Sequence, residues 1–164
     1  MVVSAIALFL AAVVQSSLLP HLAILGVKAD LVLILVIAWA IRRGVEAGLL
    51  WALLGGIAVD ALSAGPFGMS ILAFVAAAVL VGAFGPGMRK ASVLLPLALT
   101  PLASIVATLV MAIVLALLGR PIFWPVTVAL VVLPAAVLNS VVMLLVYPLV
   151  AFMDEQLSGV EWPG

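Results

Sequence analysis

From Ala91 to Leu118 the chain carries no charged side chain, and from Pro121 to Met153 it again carries none. Uncharged runs of this length decide the fold class. A helix needs about 20 apolar residues to cross the roughly 30 Å hydrocarbon core of a bilayer. Within that core each backbone N–H and C=O must find a partner without water, and a long apolar run meets that demand as a helix. The rest of the sequence agrees. Of 164 residues, 69% are hydrophobic and 7% charged, where soluble domains carry about 25% charged residues. No water-soluble surface can be built from that composition. The chain therefore reads as an all-α integral membrane protein forming a single domain.

Polar punctuation divides it into six apolar segments, expected as transmembrane helices over about residues 1–19, 29–43, 45–62, 67–84, 91–118 and 126–153. The first lacks the basic start of a signal peptide and is long enough to span. The second is short. Its apolar core, Leu31 to Ile41, reaches only about 20 Å as a helix, so the preceding LAILGVKAD is expected to sit partly in the membrane or its interface. Arg42, Arg43, Arg89 and Lys90 fall in the second and fourth connections, while Lys28 and Arg120 fall in the first and fifth. Cytoplasmic loops carry the cation excess, so both termini are expected in the cytoplasm. Asp60 and Trp124 then lie on the outer side. The tail DEQLSGVEWPG reads as loosely ordered cytoplasmic chain. Formal net charge is zero, which suggests no nucleic-acid partner.

The third segment carries a pattern. Gly44, Gly48, Ala52 and Gly56 recur every fourth residue, the next position in that row is Asp60, and Gly55 widens the stripe. Helices in lipid associate by close backbone approach, which small residues permit. This face is expected against protein, with Ala73, Ala77, Ala78, Gly82 and Gly85 of the fourth segment as a partner surface. An aspartate in hydrocarbon costs about 3 kcal/mol even on a lenient scale, so Asp60 should face protein, water or the interface. It precedes Ser63, Gly65, Pro66 and Gly68, residues that make tight turns. The expected role is architectural, with the carboxylate accepting hydrogen bonds from the turn, Ser63 and the amides around Gly65 being in reach. Glu46 is expected to pair with Arg42 or Arg43 one helical turn away. Gln15, Ser16, Ser17, Asn139 and Ser140 are candidates for interhelical hydrogen bonds.

Enzymatic readings run short of parts. Intramembrane aspartyl proteolysis needs two acids within spans, and only Asp60 qualifies. His21 is the only histidine and cysteine is absent, so neither a serine or cysteine nucleophile with its base nor a zinc site can be assembled. A phosphate-binding glycine loop with its lysine is missing. No cofactor is expected.

Two stretches carry a family resemblance: DLVLILVIAWAIRRG, and GGIAVDALSAGPFGMSIL after the glycine-rich helix. The chain resembles the bacterial rod shape-determining protein MreD family. That family shows an apolar second helix opening at Asp, a basic turn, then Gly-x-x-x-Asp and Ser-x-x-Pro-x-Gly. The matching positions are Asp30, Arg42, Arg43, Gly56, Asp60, Ser63, Pro66 and Gly68; Ala29 stands where the family often has proline. The resemblance implies a non-enzymatic inner-membrane scaffold of the cell-elongation machinery (the elongasome). Such a scaffold would bind the bitopic protein MreC, and through it MreB, RodA and PBP2, in support of peptidoglycan synthesis and rod shape. It also implies a fold similar to the S component of energy-coupling-factor transporters, and Asp60 with its turn could border a groove for a partner. Alternatively, a small-molecule-binding subunit of an uptake transporter would use the same fold, although few polar groups are on hand to build its pocket.

Overall fold

The computed structural model describes residues 28–84 and 94–158 together with Val13 and Gln15. The first predicted span apart from those two residues, His21, Gly85, Arg89, Lys90 and residues 159–164 lie outside the described residues. Among the described residues every regular element is a helix: α1 (Leu31–Arg43), α2 (Val45–Leu62), α3 (Met69–Phe84), α4 (Leu94–Leu117), the short α5 (Trp124–Thr127), a π-helical turn (Val128–Val132) and α6 (Leu133–Ser158). Three stretches are long and apolar enough to cross a membrane: Val45–Leu62, Leu94–Leu117 and the continuous Trp124–Gln156. The shorter Met69–Phe84 is equally apolar in character. Of the six expected spans, the described residues thus hold three that meet this criterion.

The helix that sequence length made hardest to place is the centre of the fold. α1 touches α2, α3, α4 and α6, and Val32, Ile34, Val36, Ile37, Ala38 and Ala40 are wholly buried. Its 13 residues span about 20 Å. It need not be longer, because protein rather than lipid surrounds it. The expectation that LAILGVKAD sits partly in the membrane or its interface falls mostly on residues 22–27, which lie outside the described residues.

The longer helices α2, α3, α4 and α6 each give one face to the interior and one to the outside. On α2, Gly48, Ala52, Gly55 and Gly56 are buried, while Leu50, Leu53 and Ile57 are exposed. On α3, Ala73, Phe74, Ala77, Ala78 and Gly82 face inward, and Leu72 and Val79 outward. On α6, Asn139, Met143 and Val150 point in, and Val137, Val141, Leu145, Leu149 and Phe152 point out. An outer surface of large apolar side chains suits a bilayer, where lipid tails replace water as solvent. The inner seam of small residues lets the backbones approach.

Single residues set the connections. Gly44 alone joins α1 to α2, at φ 90° and ψ −175°, a region essentially restricted to glycine. Its N–H donates to the Ala40 carbonyl and its own carbonyl accepts from Gly48. Gly44 was expected in the packing stripe; it is instead the reversal that lets the stripe fold back on α1. No atom lies within 4 Å of a Cβ placed there, so an alanine would meet strain but no clash. Gly44→Ala is expected to lower stability by about 1–3 kcal/mol, read as a lower thermal midpoint in detergent; an unchanged midpoint would mean that the link tolerates ordinary backbone angles.

α4 ends at Gly119 (φ 79°), whose N–H donates to Ala116 while that of Arg120 donates to Leu115, a Schellman termination. The π-helical turn directly precedes Pro134. Proline has no N–H and its ring displaces the carbonyl four residues back. The chain responds by widening one turn, with the Leu133 N–H donating to the Val128 carbonyl, and then resumes an α-helix.

Candidate functional site: a capped turn and two ends of a buried helix

Asp60 lies in the last turn of α2 and is 4% exposed. Its Oδ2 accepts the Gly68 N–H at 2.8 Å and its Oδ1 accepts the Ser70 N–H at 3.1 Å. Those amides belong to the beginning of α3. The first amides of any helix have no partner within the helix, and they present a partial positive charge. The α2–α3 reversal sets the end of α2 beside the start of α3, so one carboxylate caps the neighbouring helix. The acceptor expected for the amides around Gly65 is different. The Gly65 N–H goes to Ser63 Oγ at 3.3 Å, and Ser63 Oγ donates to the Asp60 carbonyl at 3.3 Å. The carboxylate itself reaches further along the chain. Gly68 adopts φ 96°, which turns its N–H toward the acid, and the Pro66 carbonyl accepts from Met69 at 3.4 Å. Ser63, Gly65 and Phe67 are exposed, so the ordered turn presents a surface; Phe67, at 69% exposure, is its most prominent apolar group.

Below this cap the packing is close. A Cβ on Gly56 would lie 2.6 Å from Ile71 Cα, and one on Gly48 would lie 2.6 Å from Ala40 Cβ and 3.4 Å from Ala78 Cβ. A Cβ on Gly82 would lie 2.7 Å from Val45 Cα. Gly48 therefore sits where α1, α2 and α3 meet.

The N-terminus of α1 is buried in the protein, so its amides also need acceptors. Asp30 caps it, its Oδ1 accepting the Leu33 N–H at 3.0 Å. Gln15 Oε1 accepts the Val32 N–H at 3.1 Å. Asn139 Oδ1 accepts the Asp30 N–H at 2.8 Å, and Asn139 Nδ2 donates to Ser104 Oγ at 3.1 Å. One asparagine thus links α1, α4 and α6. Ser140, its neighbour, bonds only its own helix, at the Ala136 carbonyl. Replacing Asn139 with leucine removes the acceptor for Asp30 and the donor to Ser104 in a buried seam. The expected loss is about 2–4 kcal/mol, seen as a lower thermal midpoint and faster hydrogen exchange at the Asp30 amide. Wild-type exchange in that variant would contradict the assignment.

At the other end of α1, Arg42 Nε donates to Asp154 Oδ2 at 2.7 Å and Arg43 Nη2 lies 2.6 Å from Asp154 Oδ1. Spacing pointed to Glu46; the acid that both arginines meet comes from α6. Asp154 is buried within a helix that runs to Ser158, so this first part of the tail is ordered helix rather than loose chain. Trp39 and Trp51 stack at 4.9 Å, with the Arg43 guanidinium 5.4 Å from the Trp39 ring. Trp124, placed by sequence in an aromatic belt, begins α5 and is exposed. Sequence reasoning missed Asp154 and the link from Asn139 to Asp30, since only the fold brings those residues together.

A cavity of about 500 Å³ lies beyond the start of α1. Lys28, Asp30, Thr108 and Asn139 line it together with Leu33, Met111, Leu130 and Val131. Among the described residues no group of three or more His, Cys, Asp or Glu is placed to hold a metal ion.

The model of the family described as rod shape-determining protein MreD matches residues 1–155. The chain belongs to the MreD family. The match runs through the second half of the sequence as well as the motif region, so it takes in α4, α6 and Asp154. No curated protein and no solved structure matches the chain. Membership of the MreD family gives this chain a role in rod shape determination, and its apolar helices make it a membrane protein.

Proposed function

We propose that this MreD-family chain is a non-enzymatic scaffold of the cell-elongation machinery, seated in the inner membrane by six spans with both termini cytoplasmic, that binds MreC. Through MreC it reaches MreB, RodA and PBP2 and supports peptidoglycan synthesis. The family match over residues 1–155 carries the reading. The use of the polar groups supports it. Asp60 caps α3, Asn139 joins three helices, and Asp154 holds two arginines. Each strengthens the bundle, and none is left free to act on a substrate. Scaffolding needs a rigid body with a shaped surface, and the turn Ser63 to Gly68, pinned by Asp60, is that surface. The basic turns, Arg42 with Arg43 and Arg89 with Lys90, face the cytoplasm in this reading.

The uptake-subunit reading is weaker on the same ground. A polar small molecule needs several converging donors and acceptors, yet the amide of Asn139 is engaged at both ends and the Thr108 hydroxyl already donates to the Ser104 carbonyl. Affinity purification of the tagged chain from mild detergent separates the two. The scaffold brings MreC with it. Recovery of an energy-coupling ATPase module without MreC would overturn the proposal.

A further inference from the structure

The cavity beyond α1 has a chemistry that the scaffold role does not use. Its volume of about 500 Å³ falls in the range of small-ligand sites. Leu33, Met111, Leu130 and Val131 give it apolar walls. Its asparagine and threonine are committed to protein partners, and the Asp30 carboxylate is turned onto the start of its own helix. One charged group on its lining differs. Lys28 is exposed and makes no ion pair or side-chain hydrogen bond among the described residues. The π-helical turn also contributes to the lining, and its Leu130 (63%) and Val131 (42%) are exposed at the apolar surface. Single π-helical turns are frequent at functional sites, and here the widened turn forms part of the lining.

A ligand for this space must therefore be largely apolar, must carry an anionic head for one cation, and must reach the site from the bilayer side. We infer that the cavity between the start of α1, α4 and the π-helical turn binds an anionic phospholipid, its phosphate against Lys28 and its apolar part along Leu33, Met111, Leu130 and Val131. Lysine is suited to a phosphate near an apolar surface. Its stem packs on hydrocarbon while its ammonium stays with the anion.

The test uses the full-length chain in neutral detergent, with bound lipid counted by native mass spectrometry. Phosphatidylglycerol, phosphatidylcholine with the same chains, and inorganic phosphate are added separately to wild type, Lys28→Gln, Leu130→Trp and Leu145→Trp. Leu145 is an exposed residue on the outer face of α6, away from the cavity lining, and serves as the control. One phosphatidylglycerol should be retained by wild type at least about tenfold more tightly than phosphatidylcholine, and by a similar factor more tightly than by Lys28→Gln. Leu130→Trp should lose retention by filling the mouth, and Leu145→Trp should retain lipid as wild type does. Equal retention of both lipids, unchanged by Lys28→Gln, would mean general coating of the apolar surface and would overturn the proposal. Displacement of phosphatidylglycerol by millimolar inorganic phosphate would make this a plain anion site and overturn it as well. Equal loss in both tryptophan variants would remove the cavity from the account.

Discussion

Replacing Gly56 with leucine should be among the most damaging single changes in this protein. A Cβ at that position would come within 2.6 Å of Ile71 Cα and 2.8 Å of Ile71 N, whereas carbon atoms pack at about 3.5–4.0 Å. The obstacle is backbone, so no side-chain rotation relieves it, and α2 and α3 would have to separate. Overpacking of this kind costs about 1–3 kcal/mol and occasionally more; with rigid atoms on both sides the upper part of that range is expected. Even alanine should be poorly tolerated, because its Cβ alone makes the clash. Gly48→Leu should follow, since Ala40 and Ala78 close on that position from two helices. Ile57, one residue further along but on the outer face, provides the contrast. Ile57→Leu should leave thermal unfolding in detergent almost unchanged. Wild-type midpoints for both glycine variants would put this face of α2 on lipid.

Asp60→Leu should rank beside it, for a different reason. The carboxylate accepts two amides at 2.8 and 3.1 Å, and hydrogen bonds to a charged group contribute about 1.5–3 kcal/mol each. Leucine supplies no acceptor, and the buried Ser70 amide would be left without a partner. A loss of about 3–5 kcal/mol is expected for the capped turn. It should appear as rapid hydrogen exchange at Gly68 and Ser70, while α4 and α6 keep their protection. Asparagine retains one carbonyl acceptor and most of the shape, so Asp60→Asn should fall between. If Gly68 and Ser70 stay protected in Asp60→Leu, the carboxylate is not what orders the start of α3.

These two sites lie in the part of the fold most legible from sequence. Gly48, Ala52, Gly55, Gly56 and Asp60 stand on one helix, so their shared face follows from helical spacing alone. The turn after them announces itself through Pro66 and the flanking glycines. Helices α2 and α3 begin and end within two residues of the expected segments, whereas α6 runs on through Asp154 to Ser158, past the uncharged run that ends at Met153. Elsewhere the information is not local. Asn139 meets Asp30 across 109 positions and Arg42 meets Asp154 across 112, and no periodicity reports such pairings. Glu46 looked like the arginines' acid because it is near in sequence; the fold brings Asp154 instead. The central burial of the short α1 is not legible either. Run length measures how far a helix can reach, but it does not tell whether lipid or protein surrounds it. Gly44 misled in a smaller way. A glycine in register with a packing stripe looks like part of it, and only its φ of 90° reveals a reversal.

The claim that joins this architecture to function is that the Asp60 cap orders a surface for MreC. Tagged wild type, Asp60→Asn and Asp60→Leu, matched for amount in the membrane, can be purified in mild detergent and the MreC recovered with each measured. Full recovery is expected with wild type, reduced recovery with Asp60→Asn, and little or none with Asp60→Leu, although all three insert. Equal recovery of MreC with all three would contradict that claim, and would leave the acid as a helix cap with no part in binding the partner.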